Sequence, residues 1–348
     1  MKLAIGIGGH SRDGILDAVQ LVQAADRIGV DSAWAAESWG PDAPTTLAFL
    51  AAKTERIALG SAIMQISARA PSMTAMTSLS LAELSGGRFR LGLGVSGPQV
   101  VEGLHGVSHA KPLTRLREHV EICRLAFRGE KLEYHGRAHE LPLPGGEGKP
   151  IRLFAPPSNV PIYLATLGPR SLEYTGEAAD GWLGTSFSPE AAGAHLDHIA
   201  RGAAKAGRSL ADIDINVNVE VAIGENVEEL IDARRMGVAF QMGAMGSRKT
   251  NYYNEAIQRS GYADDALAIQ SLWKDGRRDE AAARVPDEMI ARFQAVGTPE
   301  MVRERFEKYR AAGVNTIKLR MRNDETAAER IALLEQAKDI LDGMAVAA

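Results

Sequence analysis

The chain has 348 residues, 45% hydrophobic and 24% charged. These are the proportions of a globular protein and exclude a disordered, fibrous or collagen-like chain. A formal net charge of −4 leaves no electrostatic footprint for nucleic acid or an anionic membrane, and one cysteine permits no intrachain disulfide, as expected in a reducing cytosol. Glycine is the outlier, with 35 residues against an average usage of roughly 7%.

The opening stretch Met1 to Gly9 is too short and too broken by glycine for a signal-peptide core. No run approaches the ~18 apolar residues of a membrane span, so a cytoplasmic location is expected. Apolar periodicity then alternates between strand and helix. Leu3 to Gly8 reads as a strand, Asp13 to Gly29 as a helix, Ser32 to Ala36 as a strand and Thr45 to Lys53 as a helix. Ile57 to Met64 is a strand, Ser72 to Ser85 a helix, Phe89 to Val95 a strand and Leu113 to Phe127 a helix. Pro161 to Thr166 is a strand, Pro169 to Ala179 a helix, Gly181 to Gly184 a strand and Pro189 to Ala206 a helix. The β-branched run Ile213 to Ile223 is a strand, Thr298 to Ala312 a helix, Val314 to Leu319 a strand and Thr326 to Met344 the last helix.

Eight short strands, apolar on both faces and each followed by helix, predict a (β/α)8 TIM barrel as a single domain over residues 1–348. Two connections are too long for ordinary βα loops: about 129–160 after strand four, proline- and glycine-rich with a small hairpin, and 224–297 after strand seven, polar and helical.

In such a barrel the chemistry lies at the C-terminal ends of the strands. That rule selects His10 and Glu37 as candidates for proton transfer, with His10 open to a structural reading, and Trp39 as a pocket wall or a packing residue. Gly92 to Gly97 matches the G-x-G-x-x-G dinucleotide pattern, but it lies on the fourth strand and Pro98 follows. Its glycines are expected instead to let a flat cofactor or a neighbouring backbone approach. Leu167-Gly168-Pro169 opens a helix with proline at its first position, a start whose free N–H groups suit phosphate or carboxylate, with Arg170 alongside. His105 and His109 lack a third ligand, so no metal site is expected; His135 and His139 read as surface residues and Cys123 as a buried hydrophobe.

Several segments together resemble the coenzyme F420-dependent oxidoreductases of the luciferase-like superfamily across nearly the whole chain. They are Gly29 to Trp34, Thr54 to Ile63, Glu83 to Phe89 running into Leu91 to Gly94, Gly176 to Trp182, and Val296 to Pro299. The resemblance implies hydride transfer between the deazaflavin F420 and a small organic substrate, in a protein that binds neither nucleic acid nor membrane and forms a homodimer. An FMN-dependent monooxygenase and a non-catalytic flavin-binding barrel are the alternatives. It places a non-prolyl cis peptide at Ala62-Ile63 behind the ring, and cofactor contacts at Ser38, Ser61, Ala62, Ile63, Gly94, Val95 and Ser96. The phosphate-binding turn falls at Leu167, Gly168 and Pro169. Ser38 stands where the family's sugar-phosphate dehydrogenase has its catalytic histidine, and Gly6 where the methanopterin reductases carry a glutamate. Both departures turn the expected substrate away from those two. Arg248 and Lys249 are the basic residues left for a charged substrate.

Overall fold

The computed structural model describes residues 1–8, 14–247, 250–322 and 325–346. Its parallel strands form the closed barrel surrounded by helices that the sequence predicts. The barrel strands are β1 (Lys2–Ile7), β2 (Ser32–Ala35), β3 (Ala58–Ser61), β4 (Phe89–Gly94), β5 (Ile162–Ala165), β6 (Gly181–Gly184), β7 (Asp214–Ile223) and β8 (Thr316–Arg320). The helices are α1 (Ile15–Ile28), α2 (Ala43–Ala51), α3 (Pro71–Leu84), α4 (Pro98–Gly103), α5 (Pro112–Phe127), α6 (Pro169–Ala178), α7 (Gly193–Lys205), α8 (Val227–Gly243), α9 (Tyr252–Ile257), α10 (Ala263–Lys274), α11 (Arg278–Ala283), α12 (Asp287–Phe293), α13 (Pro299–Ala311) and α14 (Ala327–Val346). None of them is long and apolar enough to cross a membrane.

Helix starts follow the chain's own punctuation. Proline opens α3, α5, α6 and α13, where a missing N–H costs nothing. Asp42 caps α2 by accepting from the Thr45 N–H. The third predicted strand is shorter than expected: it stops at Ser61, and Met64–Gln65 resumes as a separate short strand beside Leu93 and Gly94. Helix α4 is a correction: Pro98, counted in the sequence against a helix start after Gly97, opens that helix at its first position. The segment 129–160 holds two antiparallel pairings, Lys131–Leu132 with Ile151–Arg152 and Tyr134–His135 with Glu140–Leu141.

The chain divides into two compact units, Met1–Gly6 with Thr166–Ala348, and Ile7–Ala165. In the second, Trp34 lies opposite Gly60 in the β2–β3 register. A Cβ on Gly60 would sit 2.3 Å from the Trp34 ring, so only glycine leaves room for the indole, which meets Tyr163 edge-on at 4.9 Å. Gly60 thus makes room for the protein's own core rather than for a ligand. At the N-terminal ends of these strands Asp26 accepts from the N–H groups of Glu55, Arg56 and Ile57, while Arg88 donates to the carbonyls of Ala51, Thr54, Ile57 and Ser85. Burial works against the Asp26 charge, but those three N–H groups hold its carboxyl below the ordinary range.

In the other unit β7 lies between β6 and β8, and β8 pairs with β1. Ala295–Gly297 pairs with Val221–Ile223, an addition the sequence did not signal. Helices α8 to α12 lie within 224–297 and share an apolar core that includes Ala239, Met242, Ile269, Val285 and Ile290. Asn251 and Asn254 both donate to the Met242 carbonyl, and Asn254 also to that of Ala266. These two asparagines therefore fasten the insertion internally.

Candidate active site

Within the unit Ile7–Ala165, the strand ends supply most of the residues singled out from sequence. The Ala62–Ile63 peptide is cis. Both residues are half-buried, and the Ala62 N–H donates to the Ala35 carbonyl at 2.7 Å. Ile63 leans over β4, where a Cβ on Gly94 would lie 3.0 Å from Ile63 Cδ1. Gly94 is thin for the sake of Ile63. Ser61 is fully buried, and its hydroxyl donates to the Gly92 carbonyl and accepts from the Gly92 N–H, each at 2.9 Å. That side chain joins two strands and presents no free group. Val95 and Ser96 follow on half-exposed backbone, and Ser96 adopts a left-handed conformation with φ 56°. Such a conformation costs a non-glycine residue of order 1 kcal/mol or more and concentrates at functional sites.

Glu37 is held more firmly than a proton carrier would be. Arg69 meets its carboxylate with two parallel bonds of 2.6 and 2.9 Å, and the N–H groups of Gln65 and Ala43 take the remaining positions at 3.2 and 3.3 Å. Each carboxylate oxygen accepts two hydrogen bonds, which fills its lone pairs. The arrangement makes Glu37 a tie between the connections that follow β2 and β3. Arg69 was missed in the sequence because it lies in a loop 32 residues away. Ser38 and Trp39 stand exposed beside it. His109 Nε2 lies 3.4 Å from the Ser96 carbonyl. No group of potential metal ligands exists among the described residues. His135 is exposed as expected, whereas His139 is a correction: it is half-buried, with Nδ1 3.2 Å from Glu118. Glu118 also receives the N–H groups of Arg137, Ala138 and His139, which draws the hairpin turn onto α5.

Within the other unit, Leu167, Gly168 and Pro169 form the start of α6. The Gly168 carbonyl accepts from the N–H groups of Ser171 and Leu172 and from the Ser171 hydroxyl, while no side chain caps the helix. Arg259, carried by the insertion, donates from Nη2 to the Leu167 carbonyl at 2.7 Å, and its Nε is buried without a partner among the described residues. Burial lowers the Arg259 guanidinium from its ordinary value. A cation at the positive end of a helix is unfavourable unless an anion joins them. No sequence signal marked Arg259, since 92 residues separate it from the turn. Ser186, just beyond β6, is a second left-handed serine, φ 53°, and accepts from Gln241 at 3.1 Å. Arg170 is exposed beside the turn. His10, Arg248 and Lys249 lie outside the described residues.

The profile of the luciferase-like monooxygenase family matches residues 3–316. The chain is 37% identical over 323 residues to a Mycobacterium tuberculosis protein provisionally named a coenzyme F420-dependent oxidoreductase, covering 90% of this chain and 93% of that one. It is 30% identical over 302 residues to the 5,10-methylenetetrahydromethanopterin reductase of Archaeoglobus fulgidus, covering 85% and 86%. The solved structure of the coenzyme F420-dependent tetrahydromethanopterin reductase of Methanopyrus kandleri superposes with a TM-score of 0.80 at 25% identity, over 97% of both chains.

Proposed function

The chain belongs to the luciferase-like monooxygenase family, and from that premise we propose that it is an F420-dependent oxidoreductase that moves a hydride between the deazaflavin and a small organic substrate. The observation that carries this reading is the start of α6, uncapped by any side chain among the described residues, with the Arg259 guanidinium beside it, two positive groups that suit an anion. We assign the Leu167–Gly168–Pro169 turn to the cofactor's phosphate. The half-exposed Ala62–Ile63 bulge and the backbone of Gly94, Val95 and Ser96 are assigned to its ring, with exposed Ser38 near them. When bound, the cofactor supplies two-electron hydride chemistry; the protein supplies position and electrostatics. Glu37, with Arg69, keeps the connections after β2 and β3 in register, so its part in the reaction is positioning. Ser61 acts one step further back, by fixing β3 to β4.

Fluorescence-quenching titrations of the purified protein with F420 and with FMN test this. F420 is expected to bind, and Arg259→Gln to weaken it at least tenfold, since a charge-assisted contact is worth about 1.5–3 kcal/mol. Tight FMN binding with no F420 binding would replace this reading with the flavin monooxygenase one.

The proposal includes a homodimer. Met73, Met76 and Leu84 fall on one exposed stripe of α3, and Phe49 is exposed on α2. A second copy of the same stripe would cover these side chains. Light scattering is expected to give twice the chain mass for the native protein and the single mass for Met76→Glu. A native mass of one chain contradicts the dimer.

A further inference from the structure

The inner face of β7 and β8 is polar from Asn216 to Glu220 and from Thr316 to Arg320. Trp182 on β6 packs against His195 of α7 and lies in register with Ile215, so Ile215, Val217 and Val219 face the helices. Alternation then turns Asn216, Asn218 and Glu220 to the opposite side, with Thr316, Lys318 and Arg320 beside them in register. Barrel interiors are ordinarily filled by bulky apolar side chains. Here the stripe runs from Asn216 towards the C-terminal end of β8, where Arg320 ends the strand and is exposed.

The acid and the base at the upper end of this stripe do not pair with each other. Glu220, the acid opposite Arg320, lies 3.3 Å from the Nε of buried Arg234, which claims it. The Arg320 side chain has no hydrogen-bond or ion-pair partner among the described residues. Its field reaches Tyr253: burial pushes that phenol up, and the Arg320 guanidinium pulls it back. Two residues deeper, burial lowers the Lys318 amine to about 8. Deeper still, Asn216 is fully buried with both amide atoms unpartnered among the described residues. Buried polar atoms in that state mark a place where a ligand group or ordered water belongs.

We infer that this stripe recognises the substrate, and that the substrate carries an oxyanion, a carboxylate or a phosphate, which Arg320 grips at the mouth with Lys318 beneath it. The inference deepens the oxidoreductase reading and rests on it for calling the ligand a substrate. A guanidinium fork suits either oxyanion through two parallel bonds.

The test uses the full chain, saturated with F420 so that the α6 turn is filled. It is titrated calorimetrically at constant ionic strength with inorganic phosphate, with succinate and with neutral succinamide. Saturable binding of at least one anion, and none of succinamide, is expected; which anion binds tells a phosphate substrate from a carboxylate one. Arg320→Gln should raise its Kd tenfold or more and Arg320→Lys less. Arg303→Gln, an exposed change on α13, should leave it unmoved. Equal anion affinity in the native protein and Arg320→Gln, or equal losses in Arg320→Gln and Arg303→Gln, overturns the site. If F420 itself does not bind, the same titration is run on Arg259→Gln, which removes the α6 cradle. Arg320-dependent binding there overturns the cofactor reading and leaves the anion site standing.

Discussion

Gly202→Ala is expected to destabilise the protein by about 3 kcal/mol, the upper end of what overpacking ordinarily costs. Helices α6 and α7 approach backbone to backbone. A Cβ on Gly202 would lie 1.7 Å from the Glu173 carbonyl oxygen, and one on Gly176 would lie 1.9 Å from that of Ile199. Neither obstacle is the end of a flexible side chain, so the helices themselves must separate. Gly237 in α8 provides the opposite case, because nothing lies within 4 Å of its Cβ position. There the same substitution should stabilise by up to about 1 kcal/mol through helix propensity alone. Urea denaturation of both variants checks the pair. Equal effects of the two substitutions would mean that α6 and α7 do not touch as described.

Acid should weaken the fold well before its carboxylates are protonated. Burial is the main cause that lowers His119 to about 3 and His195 to about 4, with His139 and Arg69 adding to the first and Arg259 and His198 to the second. In the unfolded chain both titrate near 6.5. Between those values the unfolded state binds protons that the folded state refuses, so stability is complete above pH 6.5 and falls as pH drops. Each histidine costs about 1.4 kcal/mol per pH unit, or about 4 kcal/mol for the pair at pH 5. His195 isolates the effect. Neither of its ring nitrogens has a partner among the described residues, and it packs between Trp182 and Phe187. His195→Phe should preserve or raise stability at pH 7 and remove one proton's worth of slope between pH 6.5 and 5. An unchanged slope would exclude His195 as a source.

The barrel was legible because buried parallel strands and amphipathic helices carry different periods, and strand positions agree to within a residue or two at Ser32–Ala35, Phe89–Gly94 and Gly181–Gly184. The break after Ser61 was not readable from the apolar run 57–64, which continues through it; only the resemblance pointed there. Part of the segments that carried the resemblance has a structural explanation. Thr54 to Ile57 and Arg88 form the knot around Asp26 at the N-terminal ends of the strands, away from the ends that hold the candidate site. The site itself was half legible. The proline-opened start of α6 is a local pattern and was found, whereas that of α4 was not. Arg69 and Arg259 act across long separations, and the left-handed serines 96 and 186 look like any serine until φ is known. Glu37 was chosen for its place at a strand end, a rule blind to the arginine that occupies it.

Because the insertion between Gly224 and Gly297 supplies nearly all of the apolar core it closes on, with Ala222 of β7 joining it from the barrel, most of its sequence is free to diverge on a schedule separate from the barrel's. Natural variation, or an engineer, can exchange that block wholesale to change what the scaffold accepts. A successful graft must still return a guanidinium to the place of Arg259, the thread that runs from the insertion to the Leu167 carbonyl.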